Sequence, residues 1–524
     1  MSEHDRRSGD QPNLGLHFQA ARGAASNYAG QIVVLTTGVL LTPVVLHSVG
    51  PQSYGLWILA NSLAGYGGLL DLGISSSLQK YVAEQRARGA PDEISRIVGT
   101  AITLYVVLGL LGFVVFAGLA SVLPGLIGVS ADDPETATLL IVLVGLQLAL
   151  SLPGATPSAV LRGAQRYELA NVLVVIGTLL SAGLTVLVLT LGGGIIAVAV
   201  VGVVVSAIMP LPAVVLVRRA VPELHLDITG ISRQRILSVF SFSASVFVVR
   251  FAGVLTTRTD AIIISTALPV RAITPFALAQ RLPEALSLLT NQFVQILLPM
   301  ASALDARDER RTLRVMYLAA TRVTLALSVA LGATMAILGS SILDVWVGDA
   351  YSHHGQLIAI LAAAAVIDTL GWPAISVLTG IGRHRPLAWM AIGRAIMKIT
   401  LSVVLVHAIG LTGVALATLI PSALETAFLV LPYSLRIIGV QASEFLRRVV
   451  MPNLVPAAVI CLVLIAARSV FDTDRPAVLV ATVLVAVTAY AAAYVRFSAG
   501  ALERQFYRQL HATAWSALTH RARK

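Results

Sequence analysis

Residues 97–122 read IVGTAITLYVVLGLLGFVVFAGLASV, 26 consecutive positions without an aspartate, glutamate, lysine, arginine or histidine. A helix of that length is about 39 Å long, enough to cross the roughly 30 Å hydrocarbon core of a bilayer. Immediately upstream, residues 84–96 read EQRARGAPDEISR. So abrupt a change from dense charge to none is what a boundary between headgroups and hydrocarbon requires. The same alternation recurs along the chain. Apolar runs bounded by charge, glycine or proline predict helices near 26–49, 54–73, 97–122, 137–158, 170–190, 195–217 and 237–266. A second set follows near 273–301, 317–339, 356–378, 387–407, 413–435, 452–470 and 477–497, giving an all-α, polytopic membrane fold of about 14 transmembrane helices.

Composition agrees with this reading. Of 524 residues, 57% are hydrophobic and only 12% charged, and the mean hydropathy is +0.85, outside the range of soluble globular domains. The net charge of +11 does not point to nucleic acid, because the cations come in short clusters between apolar runs rather than on one face. Those clusters alternate. Twenty-eight of the 37 lysines and arginines fall in every second connection and in the two tails, with Arg496 at the end of the last expected helix counted with the C-terminal tail, whereas Arg271, Arg468 and Arg475 are those of the opposite connections. That bias places both termini in the cytoplasm. The first 25 residues are polar and mixed in charge, without the basic, apolar and cleavage regions of a removable signal peptide, so the first apolar run is expected to remain as a helix. One cysteine, Cys461, leaves no disulfide framework and no thiolate cage within one chain.

A short internal repeat sets the expected organisation. Val160, Leu161, Gly163 and Arg166 recur 217 residues later as Val377, Leu378, Gly380 and Arg383. Each copy has a proline upstream, Pro157 or Pro373, and is followed by a hairpin with a glycine-rich turn at 192–194 or 410–413. The repeat predicts two six-helix lobes in the same orientation plus two extra C-terminal helices. The expected divisions are a cytoplasmic tail at 1–25, an N-lobe at 26–217, an inter-lobe loop at 218–236, a C-lobe at 237–435, helices 13 and 14 at 436–497, and a basic tail at 498–524.

No paired-histidine zinc signature, phosphate-cradling loop or nucleophile elbow is present in the sequence. The reading is therefore of a non-enzyme, with no metal and no cofactor. The outward connections are also too short for a catalytic domain. The informative residues are ionisable groups within predicted spans, because each costs about 2.5–3.5 kcal/mol at a helix centre unless paired or hydrated. They are Asp71, Arg250, Arg258, Asp260, Arg281, Glu284, Arg322, Asp368, Arg394, Lys398 and Glu425, ten of the eleven lying in helices seven to twelve. Arg322 and Asp71 lie near span ends, where snorkelling suffices. Arg394 and Lys398 share a helix face and repel, so they need a counter-charge. Two readings compete. In one, Arg250, Arg258, Arg281, Arg394 and Lys398 line a cavity and bind an anion, with Asp71, Asp260, Glu284, Asp368 and Glu425 as charge or ion-coupling partners. In the other, Asp260, Asp368 and Glu425 form a structural ion-pair network with the cations. The planar donor fork of arginine suits a diphosphate. Neutral hydrogen-bonding groups for sugars are Asn27, Gln31, Asn61 and Gln147, for which helix packing is the competing role.

Several stretches resemble the polysaccharide flippase family of the multidrug, oligosaccharidyl-lipid and polysaccharide exporter superfamily. They are Val49-Gly50-Pro51 with Tyr54-Gly55-Leu56-Trp57, Leu70-Asp71-Leu72-Gly73, Gln79-Lys80-Tyr81-Val82-Ala83-Glu84, Asp260 to Ile264, Trp346-Val347-Gly348, and Val377-Leu378-Thr379-Gly380 with Arg383. The resemblance implies two lobes around a central cavity that opens alternately to each side of the bacterial inner membrane. It further implies an oligosaccharide linked to undecaprenyl diphosphate as cargo, membrane lipids as surroundings, polysaccharide polymerase machinery as a candidate partner, and no nucleic acid. A drug exporter of the same superfamily is the alternative, and a membrane glycan polymerase or ligase a more distant one. The multidrug branch favours a carboxylate in the first helices, where this sequence has only Asp71.

A periplasm-active phosphatase fused after Lys524 is expected to be inactive, and one fused in the turn near Gly192 active. The reverse pattern would refute the cation-bias orientation.

Overall fold

The computed structural model describes residues 14–126, 134–225 and 243–498. The tail segments 1–13 and 499–524 lie outside the described residues, as do residues 127–133 and 226–242, the latter covering part of the expected inter-lobe loop and the start of the expected seventh helix. Every regular element among the described residues is helical, as the apolar runs require, since only a helix satisfies all its backbone polar groups within one segment in hydrocarbon. Twelve helical runs are long and apolar enough to cross a membrane. The expected fourteen compares with these twelve in two places. The first two expected helices join into one run, Ser26–Ala87. The expected seventh is a 25-residue helix, Ser243–Ala267, kept outside the twelve by Arg250, Arg258 and Asp260.

The chain divides into two compact units, Met1–Thr274 and Pro275–Lys524. In the first, α1 (Leu14–Gly67) has a break at Gly50, where φ is 78° and ψ 167°. Only glycine takes that conformation without strain, and Pro51 follows it, so the chain enters a second crossing there. The Leu70-Asp71-Leu72-Gly73 stretch is a second break. A 3-10 turn over Gly68–Asp71 leads into left-handed angles at Leu72 and Gly73, and then into α2 (Ile74–Ala87). Asp71 accepts hydrogen bonds from the Ser75 amide at 3.1 Å, from the Ser75 hydroxyl at 2.8 Å and from the Tyr105 hydroxyl. It thereby satisfies an otherwise orphaned N–H in the first turn of α2.

The uncharged run 97–122 lies in α3 (Pro91–Leu126), packed against α4 (Pro134–Gly163). Val98, Ala101, Tyr105, Phe116 and Ala120 are buried along one stripe, while Val107, Leu110, Leu111, Val114 and Val122 are exposed along another. Both stripes follow helical spacing, and the exposed one is entirely apolar, as a face toward acyl chains must be. The inward contact relies on small residues. A Cβ on Gly109 would stand 2.8 Å from the Ala149 carbonyl oxygen, so the two backbones meet as closely as helices in lipid do when small residues line the seam. The remaining helices of this unit are α5 (Tyr167–Thr190), α6 (Ile195–Ile208), α7 (Pro210–Ala220) and α8 (Ser243–Ala267). The expected lobe boundary at 218–236 follows the sequence repeat, whereas packing groups α8, which lies against α1, with the first unit.

The second unit begins in α9 (Ile273–Gln295) and continues through α10 (Leu297–Ala306), α11 (Arg310–Val347), α12 (Gly355–Gly380), α13 (Arg385–Ile409), α14 (Leu411–Glu425) and α15 (Leu431–Ile438). The short α16 (Ala442–Phe445) precedes α17 (Met451–Val470) and α18 (Pro476–Ala493). These last two helices pack on α11, where Ala326, Ala330 and Leu338 meet Ile460, Leu464 and Ala486. Polar ties supplement the apolar contact: the Tyr490 hydroxyl donates to the Ala326 carbonyl at 2.7 Å, and Arg468 donates to the Ile337 carbonyl at 2.7 Å.

The two repeat segments end their helices identically. After α4, the Arg166 amide bonds the Leu161 carbonyl at 2.8 Å, with Gln165 at φ 60°. After α12, the Arg383 amide bonds the Leu378 carbonyl at 2.8 Å, with Gly382 at φ 74°. Each is a left-handed helix stop with the same bond, 217 residues apart. The repeated glycines also do the same work. A Cβ on Gly163 would stand 2.7 Å from the Gln79 carbonyl oxygen of α2, and one on Gly380 would stand 2.6 Å from the Leu298 carbonyl oxygen of α10.

Gly163→Ala and Gly380→Ala are therefore expected to destabilise the protein by about 1–3 kcal/mol each. Gly118→Ala, where a Cβ meets open space, is the neutral control. Thermal melting of the purified variants checks this, and unchanged melting at both repeat glycines would contradict the close approach.

Candidate functional site

Within the second unit, α12, α13 and α14 bring three ionisable side chains together. One Nη of Arg394 donates to Asp368 at 2.7 Å and the other to Glu425 at 3.2 Å. The side chains are 18% exposed for Arg394, 17% for Asp368 and 10% for Glu425, so solvent screening is slight. Asp368 also accepts from the Ser422 hydroxyl. The arrangement follows from the chemistry of the guanidinium, whose planar fork addresses two carboxylates from two helices at once. Lys398, one turn further along α13, is 3% exposed. The interiors of these three helices thus hold two cations and two carboxylates. Two of the three acids in the competing ion-pair reading, Asp368 and Glu425, supply the counter-charge that Arg394 needs. Glu425 closes α14 at the start of a π turn over Thr426–Val430, and a widened turn of this kind is frequent where a helix carries a functional side chain.

On α9 of the same unit, Arg281 and Glu284 flank Pro283 and are both exposed. In the first unit, α8 carries Arg250, Arg258 and Asp260. The Arg250 side chain lies outside the described residues. Arg258 is exposed and its stem runs over Gly65 of α1, where a Cβ would stand 2.7 Å from the Arg258 Cγ. Beside it the Tyr66 and Thr259 hydroxyls lie 2.5 Å apart, and Asp260 is 3% exposed. Glycine at position 65 is thus what admits the arginine stem between α1 and α8.

The neutral candidates separate by their contacts. Asn27 accepts from the Asn171 amide of α5 at 2.7 Å, and the same amide donates to Ser26 at 3.1 Å. Asn61 donates back to the Trp57 carbonyl of its own helix at 2.8 Å. Gln147 covers Gly202 of α6, with Oε1 2.6 Å from where a Cβ would stand. Gln31 is exposed. Three of the four therefore already have the packing or hydrogen-bonding role that competed with sugar binding. Among the described residues, no group of three or more histidine, cysteine, aspartate or glutamate side chains is arranged to hold a metal ion.

Sequence reasoning missed Ser75, Tyr105, Ser422, Tyr66 and Asn171. Ser75, four residues after Asp71, carried a local signal, the spacing of a carboxylate that caps a helix. The partners from distant helices carried none, because a lone serine or tyrosine in an apolar run is ordinary.

Comparison with known proteins gives three findings. A family described as "Polysaccharide biosynthesis protein" matches residues 49–355. That stretch includes the Gly50, Asp71, Asp260 and Trp346 segments. Among solved structures, one titled as the lipid II flippase MurJ in an inward closed conformation is similar with a TM-score of 0.69 at 16% identity, covering 94% of this chain and 99% of that one. An inward-facing multidrug resistance MATE family transporter of the MOP superfamily has a TM-score of 0.68 at 16% identity, covering 78% and 94%. A MOP superfamily transporter from Pyrococcus furiosus has a TM-score of 0.56 at 16% identity, covering 80% and 95%. At such identities these structures establish the fold alone. No curated protein matches by sequence.

Replacing Arg394 by Gln leaves Asp368 and Glu425 facing each other without a cation and is expected to cost about 3–5 kcal/mol of stability. Combining it with Asp368→Asn and Glu425→Gln should restore most of the melting temperature. An Arg394→Gln variant that melts like the wild type would show that the pairing does not hold these helices together.

Proposed function

Because the chain belongs to the polysaccharide biosynthesis protein family, we propose that it flips a lipid-diphosphate-linked oligosaccharide from the cytoplasmic to the periplasmic leaflet by alternating access, for surface polysaccharide assembly. The observation that carries the proposal is the family match over residues 49–355, joined to a fold shared with a lipid II flippase along nearly its whole length. The chain is a multi-pass membrane protein. We place it in the bacterial inner membrane with both termini cytoplasmic, on the distribution of cations, and read it as a transporter rather than an enzyme. Two six-helix lobes with α17 and α18 as an addition remain the proposed organisation, supported by the equivalent helix stops at Arg166 and Arg383.

Cations of α8, α9 and α13 are proposed to hold the diphosphate, namely Arg250, Arg258, Arg281, Arg394 and Lys398. The described geometry ranks them. Arg258 and Arg281 are exposed, each on its own unit, and are open to a ligand. Both Nη groups of Arg394 are engaged by carboxylates, so it can take a phosphate only by exchanging partners. That exchange would free Asp368 and Glu425, which makes them the natural acids for coupling to ion movement. Gln31 ranks first among the sugar contacts for the same reason of exposure.

A drug exporter is the second reading, favoured by the MATE fold match. Against it stands the first unit's Asp71, which is committed to Ser75 and Tyr105 rather than presented to a cationic drug.

Vesicles containing the purified protein test the proposal, with a lipid-linked oligosaccharide and a cationic dye offered separately. Arg258→Gln is expected to lower oligosaccharide flipping by about ten- to a hundredfold, the value of a charge-assisted hydrogen bond. Arg258→Lys should retain part of it, since charge persists while the fork is lost, and both variants should melt like the wild type. Full transport by folded Gln variants at all five positions would eliminate the diphosphate site. Transport of the dye alone would replace the flippase reading with the exporter.

A further inference from the structure

In the second unit, four helix ends enclose a cavity of about 340 Å³ lined by Asp305, Arg310, Ile381, Arg383, Arg436 and Ile437. Asp305 lies in the last turn of α10, Arg310 opens α11, Ile381 and Arg383 belong to the turn after α12, and Arg436 and Ile437 lie in the last turn of α15. All are on the side taken above as cytoplasmic, and none of the five cations proposed to hold the cargo lines the cavity. Its walls are braced from beneath. Leu304, Ile381 and Leu435 pack on a core that includes Ala301, Leu313 and Tyr317, and the Tyr433 hydroxyl of α15 donates to the Arg383 carbonyl at 3.3 Å.

Arginines beside helix C-termini ordinarily answer the carbonyls left open there. Here a backbone amide already closes each stop: Glu309 bonds the Leu304 carbonyl at 2.9 Å, Arg383 the Leu378 carbonyl at 2.8 Å, and Val440 the Leu435 carbonyl at 2.9 Å. Among the described residues, the exposed guanidiniums of Arg383 and Arg436 make no hydrogen bond or ion pair, and that of Arg310 meets only the exposed Asp308, at 3.2 Å. Asp305 forms no ion pair with any of the three. Opposite charges therefore face one another across open space, and three arginines against one aspartate leave the lining at +2. The first unit neutralises its matching stop within the chain. There Arg166 lies 3.6 Å from Glu168, and Arg86 donates to the Ala164 carbonyl at 2.8 Å. Advancing Glu168 by the repeat of 217 gives Arg385, so the second stop has a cation where the first has its carboxylate.

We propose that this cavity binds a phosphomonoester, held by the guanidinium forks of Arg310, Arg383 and Arg436. Each planar fork matches two phosphate oxygens at once. A phosphomonoester carries about −1.5 to −2 charge at pH 7 and so balances the lining, whereas a phosphodiester carries a single charge. The volume stands at the low end of small-ligand sites, about 300–1,000 Å³. It admits the phosphate and the group next to it and leaves any longer ligand outside. The phosphate can thus belong to a small cytoplasmic solute or to the headgroup of a lipid in the inner leaflet.

Glycerol 3-phosphate and phosphatidic acid present the same phosphomonoester free and lipid-borne, and glycerophosphoglycerol and phosphatidylglycerol are the matching diesters. The test titrates the purified full chain with each in phosphate-free buffer, by calorimetry for the solutes and native mass spectrometry for the lipids. At least one monoester is expected to bind saturably, one per chain, and about fivefold more tightly than its diester, the value of one further charge at a membrane surface. Which of the two binds identifies the source of the phosphate. Arg383→Gln and Arg436→Gln should each weaken that binding by about ten- to a hundredfold while melting like the wild type. Lysine at either position should retain part of it, since the charge persists while the fork is lost, and stands in for a glutamine variant that does not fold. Arg166→Gln, at the matching stop of the first unit, should bind as the wild type does. The proposal is overturned if neither monoester binds saturably, if a diester binds as tightly as its monoester, if the Arg383 and Arg436 variants bind as before, or if Arg166→Gln weakens binding as much as they do.

Discussion

Helices surrounded by acyl chains gain little by setting leucine against leucine, because lipid offers the same contact. What holds this fold together must therefore come from backbone approach and from polar groups that have no alternative partner in hydrocarbon. Gly109 against Ala149, Gly163 against Gln79 and Gly380 against Leu298 are places where any larger residue would meet a carbonyl oxygen. Tyr490 reaching the Ala326 carbonyl and Asp71 held by Tyr105 and Ser75 are the polar counterparts. The exposed apolar stripe of α3 adds no specificity and keeps the helix in lipid.

Charge is placed under the same constraint. Arg394, Asp368 and Glu425 neutralise one another across three helices of the second unit, whereas Arg258 in the first unit is exposed and rests its stem on Gly65. A buried pair of this kind contributes little net stability when intact but is expensive to break. In the transport cycle proposed above, such a cluster would exchange partners without leaving a bare charge in hydrocarbon.

Three of the stretches that carried the family resemblance are chain breaks and close contacts. Val49-Gly50-Pro51 ends one crossing at a positive φ. Leu70-Asp71-Leu72-Gly73 turns the chain from α1 into α2. Gly380 and Arg383 stop α12 as Gly163 and Arg166 stop α4. These residues are tied to backbone geometry, which accounts for a resemblance that identifies the fold more securely than it identifies any cargo.

Hydropathy, helix length and the alternation of cations are local quantities, and from the sequence alone they determined that this is an all-helical, multi-pass membrane protein with most of its cations in connections and tails. The repeat around Gly163 and Gly380 was legible for the same reason, since a helix stop is written in a few adjacent residues. Which ionisable residues are paired was not. Arg394 meets Asp368 and Glu425, 26 and 31 positions away, and Asp71 meets Tyr105, 34 positions away, through the crossing of helices that no single run encodes. The expected count of fourteen differed from the twelve apolar runs because a glycine joined two crossings and three charges marked α8 apart. The grouping of α8 with the first unit was likewise decided by tertiary packing, because the contacts of Tyr66 with Thr259 and of Gly65 with Arg258 exist only once the two helices lie side by side.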